Sequence, residues 1–231
     1  MVKGPVTKVK MGMSNTYLVR GDDGYILIDA GLKGKSGSLY ENLDDHKADI
    51  SDIELIIITH VHTDHVGELK KLKERSGADV LVHREGVERL SNGHAEIPDG
   101  TSFITRIITR VMSLFSTGTS FDAVDPDLVI DDHFDLSSYG IQGEVICTPG
   151  HTLDSLCVII EDRYCISGDT FFNNFLFHIY PPLAEDEEML LDSWKKIAEY
   201  DCDFYYPGHG DMFTKEKFLK YYEKHVGAQD K

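Results

Sequence analysis

The chain has 231 residues, 41% hydrophobic and 27% charged, the balance of a soluble globular protein with a full core. A formal net charge of −17, with no Lys/Arg-rich block to offset it, sets the surface against phosphate backbones and excludes nucleic acid as an expected partner. No apolar run approaches a membrane span. Met1-Val2-Lys3-Gly4-Pro5 lacks the apolar stretch of an export leader, so a cytoplasmic location is expected.

Tyr17-Leu18-Val19 and Tyr25-Ile26-Leu27-Ile28 read as a hairpin around Gly21-Asp22-Asp23-Gly24. A helix is expected over Ser36–His46. Leu55-Ile56-Ile57-Ile58 is a short β-branched run and reads as a buried strand. Directly after it stands Thr59-His60-Val61-His62-Thr63-Asp64-His65. Imidazoles and a carboxylate at this density suit zinc, iron or manganese. The C-terminal end of a strand is where open α/β architectures place their sites. The bland alternative is a polar loop that happens to be rich in histidine.

Val66–Arg75 reads as a helix stopped near Gly77, Val80-Leu81-Val82 as a strand, and Arg84–Leu90 as a short helix. Over 101–116, Ile104, Ile107, Ile108, Val111, Met112 and Phe115 recur at helical spacing, with Arg106 and Arg110 off the stripe. That helix either packs on its own core or serves as a lid or subunit interface. Leu128–Ile130, Glu144–Ile146, Leu156–Ile160 and Tyr164–Ile166 read as strands of a second sheet. Asp186–Tyr200 is an expected helix, with acids first and Lys195-Lys196 late, as its dipole favours. Lys215–His225 is a further helix. Cys147, Cys157, Cys165 and Cys202 show no CxxC spacing and read as reduced structural thiols.

Three later segments repeat one pattern. Val145-Ile146-Cys147 leads to Pro149-Gly150-His151-Thr152, Tyr164-Cys165-Ile166 to Ser167-Gly168-Asp169-Thr170, and Phe204-Tyr205-Tyr206 to Pro207-Gly208-His209-Gly210. Each is an apolar strand, a glycine turn and one residue able to bind metal, which weakens the bland alternative. The motifs span residues 29 to 209 and must converge, so one domain over 1–231 is expected.

The HxHxDH run followed by His, Asp and His resembles the metallo-β-lactamase-fold hydrolase superfamily, in its hydroxyacylglutathione hydrolase and lactonase-like branch. Leu27-Ile28-Asp29-Ala30-Gly31 resembles its early strand ending in Asp. The resemblance implies an α/β fold, a four-layer αββα sandwich of two mixed sheets with helices on both outer faces. It implies two divalent ions, zinc foremost, with iron or manganese as alternatives. His60, His62 and His151 would hold the first, Asp64, His65 and His209 the second, and Asp169 would bridge them. A hydroxide between the ions would be the nucleophile, with Asp64 and Asp169 as the catalytic carboxylates. Asp29 would accept the N–H of a ligand imidazole, the other reading being a strand-end turn residue. Thr152 and Ser155 would tie down the His151 turn.

Departures from the pattern narrow the reaction. Flavodiiron relatives carry Glu at the position of His62. Secreted β-lactamases commonly carry Cys in place of Asp169. Homoserine lactonases carry Tyr at the position of Phe172. Hydroxyacylglutathione hydrolases share Gly168-Asp169-Thr170-Phe171-Phe172, but this chain has only 22 residues after His209 for their glutathione-binding extension. Lys215, Lys217, Lys220 and Lys224 either serve that role or form a solvated helix face.

The expected function is binuclear metal-dependent hydrolysis of a small thioester, ester or lactone. The alternatives are a phosphodiesterase for a small organophosphate and a metal-binding ligand sensor with low turnover. Phe172, Asn173, His178 and Tyr180 in the aromatic stretch 171–180, with the 101–116 helix, are the expected pocket walls. The 101–116 helix is also the candidate homodimer interface.

Overall fold

Strands that carry apolar residues at both odd and even positions must be covered on both faces. Tyr25–Ile28, Ile53–Ile57 and Leu156–Ile160 are such strands, and they dictate the layering seen in the computed structural model, which describes residues 5–113, 119–174 and 179–227.

The first half comprises β1 (Val6–Lys10), β2 (Asn15–Arg20), β3 (Tyr25–Ile28), α1 (Gly37–Asp45), β4 (Ile53–Ile57) and α2 (Thr63–Val66). It continues with α3 (Leu69–Ser76), β5 (Asp79–His83), α4 (Val87–Asn92), α5 (Phe103–Ser113) and β6 (Leu128–Ile130). The second half comprises β7 (His133–Asp135), β8 (Gly143–Cys147), β9 (Leu156–Ile160) and β10 (Tyr164–Asn173). α6 (Glu187–Ala198), β11 (Phe204–Gly210), β12 (Phe213–Thr214) and α7 (Lys215–His225) follow.

β1 to β6 form one six-stranded sheet in sequence order, antiparallel across β1, β2 and β3 and parallel from β3 to β6. The other sheet runs β12-β11-β10-β9-β8-β7, antiparallel except for the β10/β11 pair. Both sheets are mixed. Ile26, Ile28, Leu55 and Ile57 of the first pack with Val145, Leu156, Val158 and Ile166 of the second in one core between the sheets. The alternate residues Leu27 and Ile56 face Leu39 of α1 and Leu72 of α3. Cys157, Ile159 and Cys165 face Trp194 of α6 and Phe218 of α7. The result is the four-layer αββα sandwich.

Several elements differ from expectation. The helix expected over 66–75 is broken at Gly67, whose N–H donates to Gly31 O at 2.7 Å. Arg84–Gly86 is a 3-10 turn leading into α4. Helix α5 exposes Phe103, Ile104 and Ile107 while burying Thr105 and Thr109. Core packing therefore does not explain Ile104 or Ile107; residues 114–116 of the expected helix lie outside the described residues. All four cysteines are free, and Cys157, Cys165 and Cys202 are buried, as small apolar side chains in the outer core.

Trp194 couples α6 to the strand that carries Asp169. It is fully buried, donates its indole N–H to Thr170 O at 3.2 Å and lies 4.9 Å from the Phe171 ring. Trp194→Ala is expected to cost roughly 3–5 kcal/mol, measured by urea unfolding followed by circular dichroism. A loss below about 1 kcal/mol, the usual range of surface substitutions, contradicts this packing role.

Candidate metal centre

Four segments deliver polar side chains to one end of the sandwich. His60 and His62 lie in the loop after β4, and Asp64 and His65 open α2. His151 follows β8. Asp169 and His209 lie inside β10 and β11, not in turns after them as the sequence pattern suggests. The β10/β11 register shifts between Ile166 and Gly168 and again between Gly168 and Phe172, so Asp169 stands in the irregular stretch. Backbone disruption re-aims a side chain without ending the strand.

The seven side chains converge as two groups. His60, His62, His151 and Asp169 form one, and Asp64, His65 and His209 form the other, with the ligand atoms of each group within 4.8 Å of one another. Asp169 reaches into both. Its Oδ2 lies 3.8 Å from His60 Nε2, 3.6 Å from His151 Nε2 and 3.4 Å from His209 Nε2. Its Oδ1 lies 3.5 Å from His65 Nε2. His209 Nε2 is also 3.1 Å from Asp64 Oδ2.

The donors fit divalent cations. His60 Nε2, His65 Nε2 and Asp169 Oδ1 are buried polar atoms without a hydrogen-bond partner among the described residues, a costly arrangement unless a cation meets them. Gly208 keeps the space open: a Cβ there would come within 2.2 Å of Asp169 Oδ1 and 2.8 Å of His65 Cε1.

Four of the five rings, all but His62, have an outward-facing nitrogen held by another partner. His65 Nδ1 donates to Asp29 Oδ2 at 2.8 Å, which points Nε2 into the site. Asp29 also accepts from Thr59 N–H at 2.8 Å and from Thr59 Oγ1 at 2.9 Å. Thr59 Oγ1 in turn lies 3.1 Å from His60 Nδ1 and can accept its proton. One buried carboxylate thus orients an imidazole in each group. His151 Nδ1 donates to Leu183 O at 2.9 Å, and His209 Nδ1 to Met13 O at 3.1 Å. Asp29 has the left-handed backbone of a turn residue, φ 65°, but its carboxylate meets Thr59 and His65 and does not cap its own loop.

Burial and neighbouring charge divide the histidines. Burial and the adjacent imidazoles hold His60 well below the ordinary histidine range, and burial with His151 takes His62 to about 3. Burial also pulls on His65, but Asp29, Asp169 and Asp64 outweigh it and raise His65 to about 9. Asp169 and Asp64 likewise overcome burial at His209 and raise it to about 11. Burial would raise Asp169, yet His209 and His65 hold it at about 2. The carboxylates thus stabilise positive charge on the imidazoles beside them, a place that bound dications would take as those protons leave.

Some supports carry no ligand pattern in the sequence. Asn15 Nδ2 donates to Pro207 O at 2.9 Å and to Gly210 O at 2.8 Å, and Tyr17 OH donates to Pro207 O at 2.6 Å. These bonds fasten the His209 segment to β2 of the other sheet. Buried Asp154 accepts from Val61 N–H at 2.8 Å and from Arg89 at 3.2 Å, and Arg89 also pairs with Glu185 at 2.7 Å. That cluster ties the HxHxDH loop to the His151 loop. Thr152 and Ser155 are buried within the latter, 2.9 Å apart through their hydroxyls.

A cleft of about 400 Å³ opens onto the centre. Met13, Leu32, Ile97, Pro98, Leu183 and Phe172 supply its apolar lining. Phe172 stacks on His209 with centroids 4.9 Å apart. Two expected pocket residues turn elsewhere. Asn173 donates to Asp211 O and accepts from Lys217, and Tyr180 OH donates to Glu187 at 2.9 Å. His178 lies outside the described residues. Among the described residues of α5, none lines the cleft; the 95–98 loop takes that place. This irregular loop carries no periodic pattern.

This fold and donor set define a metallo-hydrolase site of the metallo-β-lactamase kind. The family model for the metallo-β-lactamase superfamily matches residues 9–209, and the chain belongs to that superfamily. It is 31% identical over 209 residues to a probable metallo-hydrolase of Methanocaldococcus jannaschii, covering 89% of this chain and 91% of that one. It is 27% identical to Thioesterase pkgB of Emericella nidulans, over 94% of this chain and 52% of that longer protein. The crystal structure of ST1585, a superfamily protein from Sulfolobus tokodaii, superposes with a TM-score of 0.66 at 22% identity, covering 95% of this chain and 85% of that one. No helix among the described residues is long and apolar enough to cross a membrane.

Asp29→Asn preserves a short polar side chain at positive φ but presents an amide to the His65 ring. Metal affinity is expected to fall about 10–100-fold, measured by competition with a chromogenic chelator. Unchanged affinity contradicts the orienting role of Asp29.

Proposed function

We propose that this chain is a binuclear metal-dependent hydrolase of small ester-type substrates, a thioester, ester or lactone. The observation that carries the proposal is the position of Asp169, shared between two donor groups at the floor of an apolar cleft. Two bound dications would supply Lewis acidity and an activated water. Asp169 and Asp64 are the carboxylates placed to hold them together with the five imidazoles. The apolar walls would receive an acyl group and exclude bulk water from the carbonyl. With water as the nucleophile the reading needs no serine or cysteine, and neither is among the described cleft-lining residues. The likeness to a thioesterase over most of the chain supports an acyl substrate.

The test compares kcat/KM of metal-loaded protein for an aryl ester, an alkyl thioester, a γ-lactone and a bis-aryl phosphodiester. Acyl substrates should lead, and Asp169→Ala should lower their turnover about 100-fold or more, roughly 2.7 kcal/mol of transition-state stabilisation. A tenfold preference for the phosphodiester overturns the acyl reading. Wild-type turnover by Asp169→Ala with full metal content overturns the role of Asp169.

A further inference from the structure

We infer that the cleft selects neutral or cationic substrates and rejects anionic conjugates, with Glu96 at its mouth setting the preference. The inference rests on the hydrolase reading and names the charge class of its substrate.

The charge inventory of the cleft carries the inference. None of its described lining residues is a lysine or arginine. Outside the described residues, the internal segments 114–118 and 175–178 contain neither residue type in their sequence, and Lys3 and Lys231 stand in the terminal ones. Three carboxylates, Asp29, Asp64 and Asp169, belong to the centre, and two dications with one bound hydroxide would balance them. Glu96 is additional. It lines the cleft, is exposed, and has no hydrogen-bond or ion-pair partner among the described residues.

Most neighbouring cations are committed elsewhere, and exposed Lys35, whose stem lies beside Gly12, is not among the lining residues. Lys33, next to Leu32 of the lining, pairs with Asp122 at 2.7 Å, and Arg89 is held by Asp154 and Glu185. Lys217 binds Asn173, Lys215 pairs with Asp201, and Lys220 and Lys224 line a separate surface hollow beside Tyr221. Sites that take multiply charged carboxylates or phosphates present arginine or lysine to them. Here an anionic leaving group would meet Glu96 at the mouth of a chain whose formal net charge stays strongly negative after two dications bind. A cationic group would find Glu96 unpaired.

Three acetyl thioesters of similar size separate the outcomes: acetylthiocholine (cationic), S-acetyl-2-mercaptoethanol (neutral) and S-acetyl-3-mercaptopropionate (anionic). For metal-loaded protein the first two should exceed the third about tenfold in kcat/KM. Glu96→Gln should reduce the cation-to-anion ratio about fivefold, and 0.5 M salt should narrow it in wild type, as a partly solvated charge interaction requires. Kd values of the matching uncleavable thioethers, by calorimetry, should follow the same order. Thioether binding in that order without turnover of any thioester leaves charge selection standing and overturns the hydrolase reading. A preference for the anionic compound, or a ratio indifferent to Glu96→Gln, overturns the inference itself.

Discussion

A buried carboxylate surrounded by inward-pointing imidazole nitrogens is the constraint on which the structure turns. Asp169 is only 5% exposed, with four ring nitrogens between 3.4 and 3.8 Å from its oxygens. Those distances are too long for good hydrogen bonds and suit atoms that share a cation. Burying an anion beside unpaired polar atoms is costly, and the fold tolerates it only because both sheets brace the surrounding segments. Asn15 and Tyr17 hold the His209 segment, Asp29 and Thr59 hold two imidazoles, and Asp154 holds the HxHxDH loop. Glycine completes the design where side chains would intrude. Gly168, at φ +48°, brings its backbone against Thr59, and Gly208 leaves the space beside Asp169 and His65 open.

Much of this was legible in the sequence because its signals are local. The apolar run Leu55–Ile58 is a strand and strand end whose alternate residues feed two cores, and the ligand cluster follows it. The helix over Glu187–Ala198 shows its signals plainly: Asp186 caps it by accepting from Glu188 and Met189 N–H, and Lys195 and Lys196 stand in its last turn. What the sequence concealed depends on contacts between distant segments. The strand-end pattern suggested that Asp169 lies in a turn, whereas a register shift against β11 places it within a continuing strand. The stripe in α5 is periodic, but periodicity does not reveal which face meets the core: among its described side chains Ile104 and Ile107 are exposed, and Thr105 and Thr109 are buried. Asn173 and Tyr180 have chemistry suited to a pocket, yet Lys217 and Glu187 engage them elsewhere.

The cleft shows how function can vary on a constant centre. Its floor is made by the motif residues, while its walls come from Met13, Leu32, the 95–98 loop and Pro182-Leu183. Backbone bonds join the two loop walls: Ala184 N–H donates to Asp99 O at 2.9 Å, and Thr101 N–H donates to Pro182 O at 2.9 Å. Changes in these loops would alter the substrate without disturbing the ligands, which is how one fold supports many activities. The walls are therefore where substrate preference should be sought.

The central claim is that Asp169 joins two cation sites, and diffraction at a metal absorption edge tests it most directly. Crystals grown with zinc should show two anomalous peaks about 3.5–4 Å apart, one against His60, His62 and His151, the other against Asp64, His65 and His209, with Asp169 touching both. A single peak at full metal loading, or two peaks that Asp169 does not link, would contradict the account.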